Sequence, residues 1–318
     1  MLGLTVPVSI QTHLSWDYTT AHPRIQRLYD EARQLQWDEI KDIDWTCQSE
    51  AAESDPSAFG RAAFNESFLA AYGESMWRHF RRQQQSWMVS QFLHGEQAAL
   101  VVSARLAEVL PDVALKGYAA SQAAEEARHV AVFLRYANER LSERYAVSPS
   151  FELLLEQILR DSQWDVLALG MHVMVEALAL AAFRLANSTF EDPLIRRITH
   201  LTARDEARHV SFGVLLLDGL YTRMSASELR YREDFVLEAA ALLGRRYLLT
   251  EVWERLGIDS GKGTDFARSN EMMKAYRCTI FARVVHTLNR VGLMTERVRT
   301  GFDRLGLVGA ATRSRTNR

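Results

Sequence analysis

The pentapeptide Glu-Ala-Arg-His-Val occurs twice in the chain, at 126–130 and at 206–210. Both copies lie in long stretches whose apolar residues recur at three- and four-residue intervals, a pattern typical of amphipathic helices. Residues three apart share one face of a helix, so each copy directs one carboxylate and one imidazole to the same side. The chain is therefore expected to form helices that bring two Glu-x-x-His units together.

Few residues interrupt these helical patterns, since the 318 residues include only 6 prolines and 16 glycines. The predicted helices span about 23–36, 57–72, 76–110, 112–145, 151–187, 192–224, 226–256 and 264–293. A helix of about 30 residues is roughly 45 Å long, which suits a bundle. We predict an all-α fold in one domain over 1–309, with a metal-binding bundle at about 76–224 and a disordered tail at 310–318.

Composition excludes several classes of function. The 38 basic and 40 acidic residues give a net charge of -2, which provides no overall field for nucleic acid or an anionic membrane. Cys47 and Cys278 are too few for a disulfide framework, a four-thiolate zinc site or a cysteine-held iron–sulfur cluster. The sequence shows neither a secretory signal nor an uninterrupted apolar run of membrane-spanning length, so we expect a cytoplasmic protein without nucleic-acid or membrane partners.

The two Glu-x-x-His units need further oxygen donors if they are to hold two metal ions. Glu96 lies 30 residues before Glu126, and Glu176 lies 30 residues before Glu206. Each of the earlier acids stands in an otherwise apolar or neutral helical stretch, and an unpaired buried carboxylate is costly. Antiparallel hairpins with equal arms would bring all four helices to one level. The predicted metal ligands are Glu96, Glu126, His129, Glu176, Glu206 and His209.

Charged residues beside these ligands form a predicted supporting layer. Glu125 and Asp205 precede the two motif glutamates, and metal-bound imidazoles commonly donate their free N–H to a carboxylate. Arg128 and Arg208 could hold those acids in turn. The alternative is ordinary surface charge on a long helix.

Four carboxylates and two imidazoles form a hard donor set without thiolate, which favours iron or manganese. The pattern of Glu96, Glu126-x-x-His129, Glu176 and Glu206-x-x-His209 resembles the ferritin-like di-iron carboxylate oxidases and oxygenases over about 76–224. That resemblance implies a ferritin-like four-helix bundle with additional N- and C-terminal helices and two iron ions as the cofactor, with manganese as an alternative. A lead-in stretch from Gln36-Trp37 to Asp44-Trp45 is also similar to segments in some of these proteins, although its tryptophans could simply pack on the bundle.

Departures from the family patterns leave the subfamily unassigned. Phe133 stands where ribonucleotide reductase small subunits carry a radical tyrosine, and Leu180 where multicomponent hydroxylases carry threonine. Thr202 stands where arylamine N-oxygenases carry an additional histidine ligand. His172, four residues before Glu176, could contribute instead as a seventh ligand, or it could be a supporting or core residue.

We expect an O₂-activating oxygenase or oxidase that acts on a small apolar, aromatic or acyl substrate, free or carrier-bound. Electrons would come from the substrate or an external donor, and a homodimer is an option. The alternatives are a ferritin-like protein that oxidises and stores iron, which the helices predicted over 226–293 disfavour, and a structural module with a vestigial site. Residues one helical turn from the ligands are mostly apolar and could line the substrate cavity. They are Phe92, Ala99, Leu100, Gln122, Val130, Phe133, His172, Val173, Leu180, Thr202, Val210 and Gly213.

Overall fold

In this computed structural model, residues 3–16, 18, 22–47 and 65–309 are described, and these residues form helices without any strand. The helices are α1 (Pro23–Gln34), α2 (Glu74–Val109), α3 (Val113–Arg140), α4 (Pro149–Arg160), α5 (Trp164–Thr189), α6 (Pro193–Leu217), α7 (Ala226–Arg246), α8 (Thr250–Arg255), α9 (Ser260–Ser269), α10 (Glu271–Val291) and α11 (Glu296–Arg304). The all-α prediction is confirmed.

Two helical hairpins form the centre of the molecule, and both turn over a short connection ended by an aspartate. Asp112 accepts hydrogen bonds from the backbone N–H groups of Ala114 and Leu115 at the start of α3. Asp192 accepts one from Leu194 at the start of α6, where Pro193 occupies the first turn. These caps satisfy backbone donors that have no partner within the helix. Each connection is therefore short enough to fold its two helices antiparallel.

The two hairpins pack side by side as a four-helix bundle. Helix α2 packs along α3 and α5 along α6, while α3 contacts α6 and α2 contacts α5. Around this bundle, α1 packs on α3 and α6, α4 packs on α7, and α10 packs on α5 and α6. The prediction of a ferritin-like bundle with additional N- and C-terminal helices is confirmed.

Helix α5 contains a turn of π-helix at its centre. The segment Leu169–Glu176 has π-helical hydrogen bonding between two α-helical parts, and all its residues are buried. Close packing accompanies it: a Cβ atom added to Gly213 of α6 would lie 2.3 Å from the Cβ of His172, so only glycine fits there. A π turn is rare and often occurs at functional sites. Glu176 is its last residue.

Several predicted helices are wrong in length. The single helix predicted over 151–187 is two helices, α4 and α5, separated at 161–163. The one predicted over 226–256 breaks at Leu249, a buried residue in the left-handed conformation (φ 59°). The one predicted over 264–293 is also two helices, α9 and α10. No proline or glycine marks any of the three breaks, although Asn270 caps the start of α10 by accepting from the backbone N–H groups of Met272 and Met273.

Two sequence predictions lie mostly or wholly outside the described residues: the helix at 57–72, of which Phe68–Tyr72 is seen as a 3₁₀ turn, and the tail at 310–318. The single domain over 1–309 stays a prediction. Among the described residues, Trp164–Thr189 is long and apolar enough to cross a membrane, contrary to our expectation from the sequence. However, 89% of its most apolar window is buried inside the protein, as expected for a central bundle helix.

Candidate metal centre

The six predicted ligands come together in the middle of the bundle. Helix α2 supplies Glu96, α5 supplies Glu176, and the remaining four residues come from the repeated motifs on α3 and α6. All six side chains are buried, and Glu96 is the most exposed at 4%. Four carboxylates and two imidazoles without access to water need cations or protons to balance them.

The six residues fall into two overlapping groups of four. One group contains Glu96, Glu126, His129 and Glu206, and the other contains Glu126, Glu176, Glu206 and His209. Within each group the donor atoms all lie within 4.8 Å of one another. Because Glu126 and Glu206 belong to both groups, they are placed to bridge two ions, while one glutamate and one histidine would complete each side.

The imidazole Nδ1 atoms point into these groups. His129 Nδ1 lies 3.0 Å from Glu96 Oε2 and 3.1 Å from Glu126 Oε2. His209 Nδ1 lies 2.9 Å from Glu126 Oε1 but makes no hydrogen bond. Both carboxylate oxygens of Glu206 also lack a hydrogen-bond partner. Two donors about 2.1 Å from one ion and at right angles to each other are about 3 Å apart, so this arrangement fits metal ligands.

The outward nitrogens of the two histidines are held by acids from the opposite motif. His129 Nε2 lies 3.1 Å from Asp205 Oδ2, and His209 Nε2 lies 2.7 Å from Glu125 Oε2. A carboxylate at Nε2 requires the proton on that nitrogen, which leaves Nδ1 free to bind a metal. The structure thus places both predicted acids against imidazoles and adds that each one contacts the histidine of the other hairpin.

The predicted arginines hold these acids. Arg208 donates to Glu125 Oε1 at 2.8 Å and to Asp205 Oδ1 at 2.7 Å, and Arg128 donates to Asp205 Oδ2 at 2.9 Å. Arg208 is buried, and the Arg128 side chain is only 12% exposed, so neither forms ordinary surface charge. The alternative of a solvated helix face is wrong for both.

The lead-in segment after α1 adds two contacts that sequence reasoning missed. Trp37 Nε1 donates to Asp205 Oδ2 at 2.7 Å, and Gln36 Nε2 donates to Glu125 Oε1 at 2.7 Å. The Trp37 ring also stacks on the His129 ring, with centroids 6.2 Å apart. The sequence drew attention to this segment but gave no sign that it would contact the acids beside the metal site.

Glu176 has neighbours of its own. His172 Nδ1 lies 2.7 Å from Glu176 Oε2, and Gln122 Nε2 donates to Glu176 Oε1 at 3.0 Å. His172 lies outside both groups of four donors, and its Nε2 is buried without a hydrogen-bond partner. The Thr202 hydroxyl is also buried without one. His172 therefore contacts a candidate ligand, and a ligand role of its own stays a prediction.

Electrostatics show how strongly these residues interact without metal. Burial opposes charge on both imidazoles, but the surrounding carboxylates outweigh it and hold the pKa values of His129 and His209 well above their usual range. Burial and the neighbouring charge of Glu206 raise the pKa of Glu96. The pKa of Glu126 is held well below its usual value despite burial, because His209 and His129 lie beside it. Protons on the imidazoles occupy the place that cations would take.

A small, mostly apolar cavity of about 20 Å³, called the cleft below, lies beside this centre. Three of the candidate ligands line it: Glu96, Glu176 and Glu206. Of the predicted cavity residues, Phe92 and Ala99 line the cleft and the other ten do not. Further lining residues come from α4, and from the C-terminal end of α7 beyond the predicted bundle region, and sequence reasoning missed them. They are Phe151, Arg246 and Tyr247.

Comparison with known proteins gives one family. Residues 19–292 match the family model described as P-aminobenzoate N-oxygenase AurF. The match extends over the lead-in segment, both hairpins and most of the C-terminal helices. No curated protein matches the chain.

Proposed function

Because the chain belongs to the P-aminobenzoate N-oxygenase AurF family, which is a family of di-iron oxygenases, we propose that it uses O₂ to oxygenate the nitrogen of an aromatic amine. Family membership confirms an O₂-dependent di-iron oxidoreductase over the iron-storage alternative. It also assigns the family that the sequence patterns had left open, while Thr202 stays a departure from the additional histidine ligand of the arylamine N-oxygenases.

We assign Glu96 and His129 to one iron, Glu176 and His209 to the other, and Glu126 and Glu206 to both. The four carboxylates would neutralise two divalent ions, and the buried oxygens of Glu206 would gain the partners they lack. When bound, two ferrous ions supply electrons to O₂. The same oxygen and nitrogen donors suit manganese, which stays a prediction.

The surrounding residues would keep the centre in one geometry and away from water. Glu125 and Asp205 hold the imidazole Nε2–H groups, so that both Nδ1 atoms face inward. Gln36 and Trp37 cover these acids from the lead-in segment. Preorganised ligands of this kind need little rearrangement when the ions bind or change charge.

The observation that carries the substrate proposal is the cleft at Glu96, Glu176 and Glu206. Phe92 and Phe151 line it, and such walls favour a flat aromatic molecule over a sugar or nucleotide. An amine entering this cleft could reach the iron-facing carboxylates.

Conversion of an arylamine to its hydroxylamine by one O₂ consumes two electrons and two protons and releases one water. For the hydroxylamine a separate reductase would supply those electrons, because two cysteines cannot hold an iron–sulfur cluster. If the substrate supplies them itself, one O₂ takes the amine to the nitroso compound and one water. The donor, a homodimer and a cytoplasmic location stay predictions.

The test is turnover of p-aminobenzoate by the iron-loaded protein under ¹⁸O₂, with a chemical reductant and mass spectrometry of the product. We expect one ¹⁸O atom on nitrogen, with none from labelled water. A ring-hydroxylated product, or no product from protein carrying two irons, would contradict the proposal. Metal-free protein is the control.

A further inference from the structure

Four basic residues lie together on the surface formed by α5 and α10, and they are called the basic patch below. Arg283, His286 and Arg290 lie three or four residues apart on α10, so they share one face of that helix. Arg184 lies on α5, which packs against α10, and its charge acts on Arg283. Arg283 is half-buried, and the other three residues are exposed. The fold thus brings like charges from two helices into one patch.

As far as the described residues extend, the charges that act on Arg283 and His286 are positive. Burial, followed by the charges of Arg184 and Arg290, lowers the pKa of Arg283. Burial, followed by the charges of Arg283 and Arg290, lowers the pKa of His286, so this imidazole is neutral at pH 7. Arginines keep their charge in proteins. Three positive charges therefore remain in the basic patch and repel one another.

Arginines on other parts of the described surface pair with acids. Arg81 lies 2.6 Å from Glu191, and Arg135 lies 2.7 Å from Glu139. The whole chain carries a net charge of -2. The basic patch therefore gives one side of a slightly acidic protein a local positive field, and such a field raises the local concentration of an anionic partner.

The basic patch lies close to the metal centre. Arg184 follows Glu176 by eight residues on α5, a rise of about 12 Å along the helix. Its neighbour Phe183 packs on Phe92 and Phe133, with ring centroids 4.6 and 5.7 Å apart. Phe92 lines the cleft beside the candidate ligands. Packed side chains thus connect the patch to the centre over a distance that an electron can tunnel.

We propose that the basic patch is the docking surface for an acidic electron-transfer protein that reduces the iron centre. Two reduced partner molecules would each lose one electron, and two ferric ions would each gain one. The inference rests on the proposed function, because formation of the hydroxylamine requires two electrons from a separate donor. Opposite charges on the two proteins would steer their association.

The experiment uses a plant-type [2Fe–2S] ferredoxin, a small and strongly acidic one-electron donor. Binding of the labelled, oxidised ferredoxin to the iron-loaded protein is measured by fluorescence anisotropy. For the double variant Arg184→Glu with Arg290→Glu, we expect the affinity at low salt to fall at least about tenfold. In the natural protein the affinity should fall as salt rises to about 0.15 M, since salt screens charges beyond about 8 Å.

The double variant Arg223→Glu with Arg230→Glu is the matched control. Both arginines are exposed and lie outside α5 and α10, and the two double variants change the net charge by the same amount. The control should bind ferredoxin within about threefold of the natural protein, because the local field of the basic patch is intact. Iron content and circular dichroism establish that each variant is loaded and folded.

Stopped-flow absorption adds a rate. Reduction of the ferric centre by reduced ferredoxin should slow at least about tenfold in the Arg184 and Arg290 double variant and little in the control. Reduction by dithionite with methyl viologen, which needs no acidic docking partner, should be the same in all three proteins.

Equal weakening by the two double variants would mean a net-charge effect and would overturn the proposal. So would the absence of ferredoxin binding to the natural protein at low salt, or binding that salt does not weaken. Vesicles containing phosphatidylserine test another anionic surface. If they bind the natural protein through Arg184 and Arg290 while ferredoxin does not, the patch faces a membrane and the proposal is wrong.

These results are separable from the proposed function. N-oxygenation with a chemical reductant does not use the basic patch, so failed docking would leave the proposed function standing. Ferredoxin binding is measured without an amine, so absence of N-oxygenation would leave the docking surface standing.

Discussion

The two halves of the metal centre share a sequence motif but differ in their surroundings. In the first half, Glu96 and His129 lie on regular α-helices, and Trp37 stacks on the imidazole. In the second half, Glu176 ends a π-helical turn, and it contacts His172 and a glutamine. Equal spacing in the sequence therefore does not give equal environments. The difference comes from the helix carrying each glutamate and from segments that pack on it.

Two glutamates belong to both halves of the centre and so do not distinguish them. Glu126 and Glu206 belong to both donor groups and are fully or almost fully buried. The comparison thus separates residues whose loss should affect both ions from residues whose loss should affect one.

The largest expected effect is loss of a shared carboxylate. Glu126→Ala should lose both irons, whereas Glu96→Ala should retain about one per chain, because the second half keeps its own four donors. Metal analysis after anaerobic loading measures this, with circular dichroism to show that the helices remain. Two irons in Glu126→Ala, or none in Glu96→Ala, would break the division into shared and separate ligands.

Metal affinity should rise with pH in both halves. Without metal, the raised pKa values of His129 and His209 keep these imidazoles protonated, and so ions must displace those protons. For each imidazole proton that the metal must displace, metal affinity rises about tenfold per pH unit as the pH increases toward the pKa of that imidazole. Competition between the protein and a manganese indicator at several pH values measures the slope. A flat profile would contradict a protonated metal-free centre.

Asp205→Asn should weaken metal binding by about 10–100-fold. Asp205 contacts His129, Trp37 and two arginines, and its pKa lies far below the usual range because His129 and Arg208 outweigh the effect of burial. Asp205→Asn should lower metal affinity mainly at the first half, which contains His129. Glu125→Gln should lower it mainly at the second half, which contains His209. Mössbauer spectra that distinguish the two iron sites provide the measurement, and equal effects of both variants on one site would contradict the crossed contacts.

The smallest effect separates support from ligation in the second half. His172→Ala should lower metal affinity about tenfold through loss of its contact with Glu176, and Thr202→Val should change it less than about threefold. Chelator competition measures both variants. If His172→Ala loses one iron completely and changes the Mössbauer signal of the iron that remains, His172 is a seventh ligand.

The ligand set was accessible to sequence reasoning because a regular helix fixes which residues share a face. Glu126 and His129 lie three apart on one helix, and their 30-residue offset from Glu96 follows from a hairpin with equal arms. Periodicity also predicted helical structure after the bundle, although with too few breaks, while the four-helix bundle followed from the helix lengths and from the resemblance to the ferritin-like proteins.

The remaining features depend on contacts between distant segments. The π turn before Glu176 has no period that a sequence pattern reveals, and Leu249 breaks a helix without a glycine. Arg246 stands in an ordinary run, Leu-Gly-Arg-Arg-Tyr, and only tertiary packing buries it beside the cleft. Similarly, Trp37 reaches Asp205 across 168 positions of the chain.

The crossed acids give the centre a twofold pattern of contacts. Glu125 of the first motif holds the histidine of the second, and Asp205 of the second holds the histidine of the first. In a dimer of identical subunits related by a twofold axis, each subunit makes to its partner the same contact that it receives from it. A pair of separate, identical hairpins could therefore satisfy the same contacts. The single chain thus has the reciprocal contacts of such a dimer within one polypeptide.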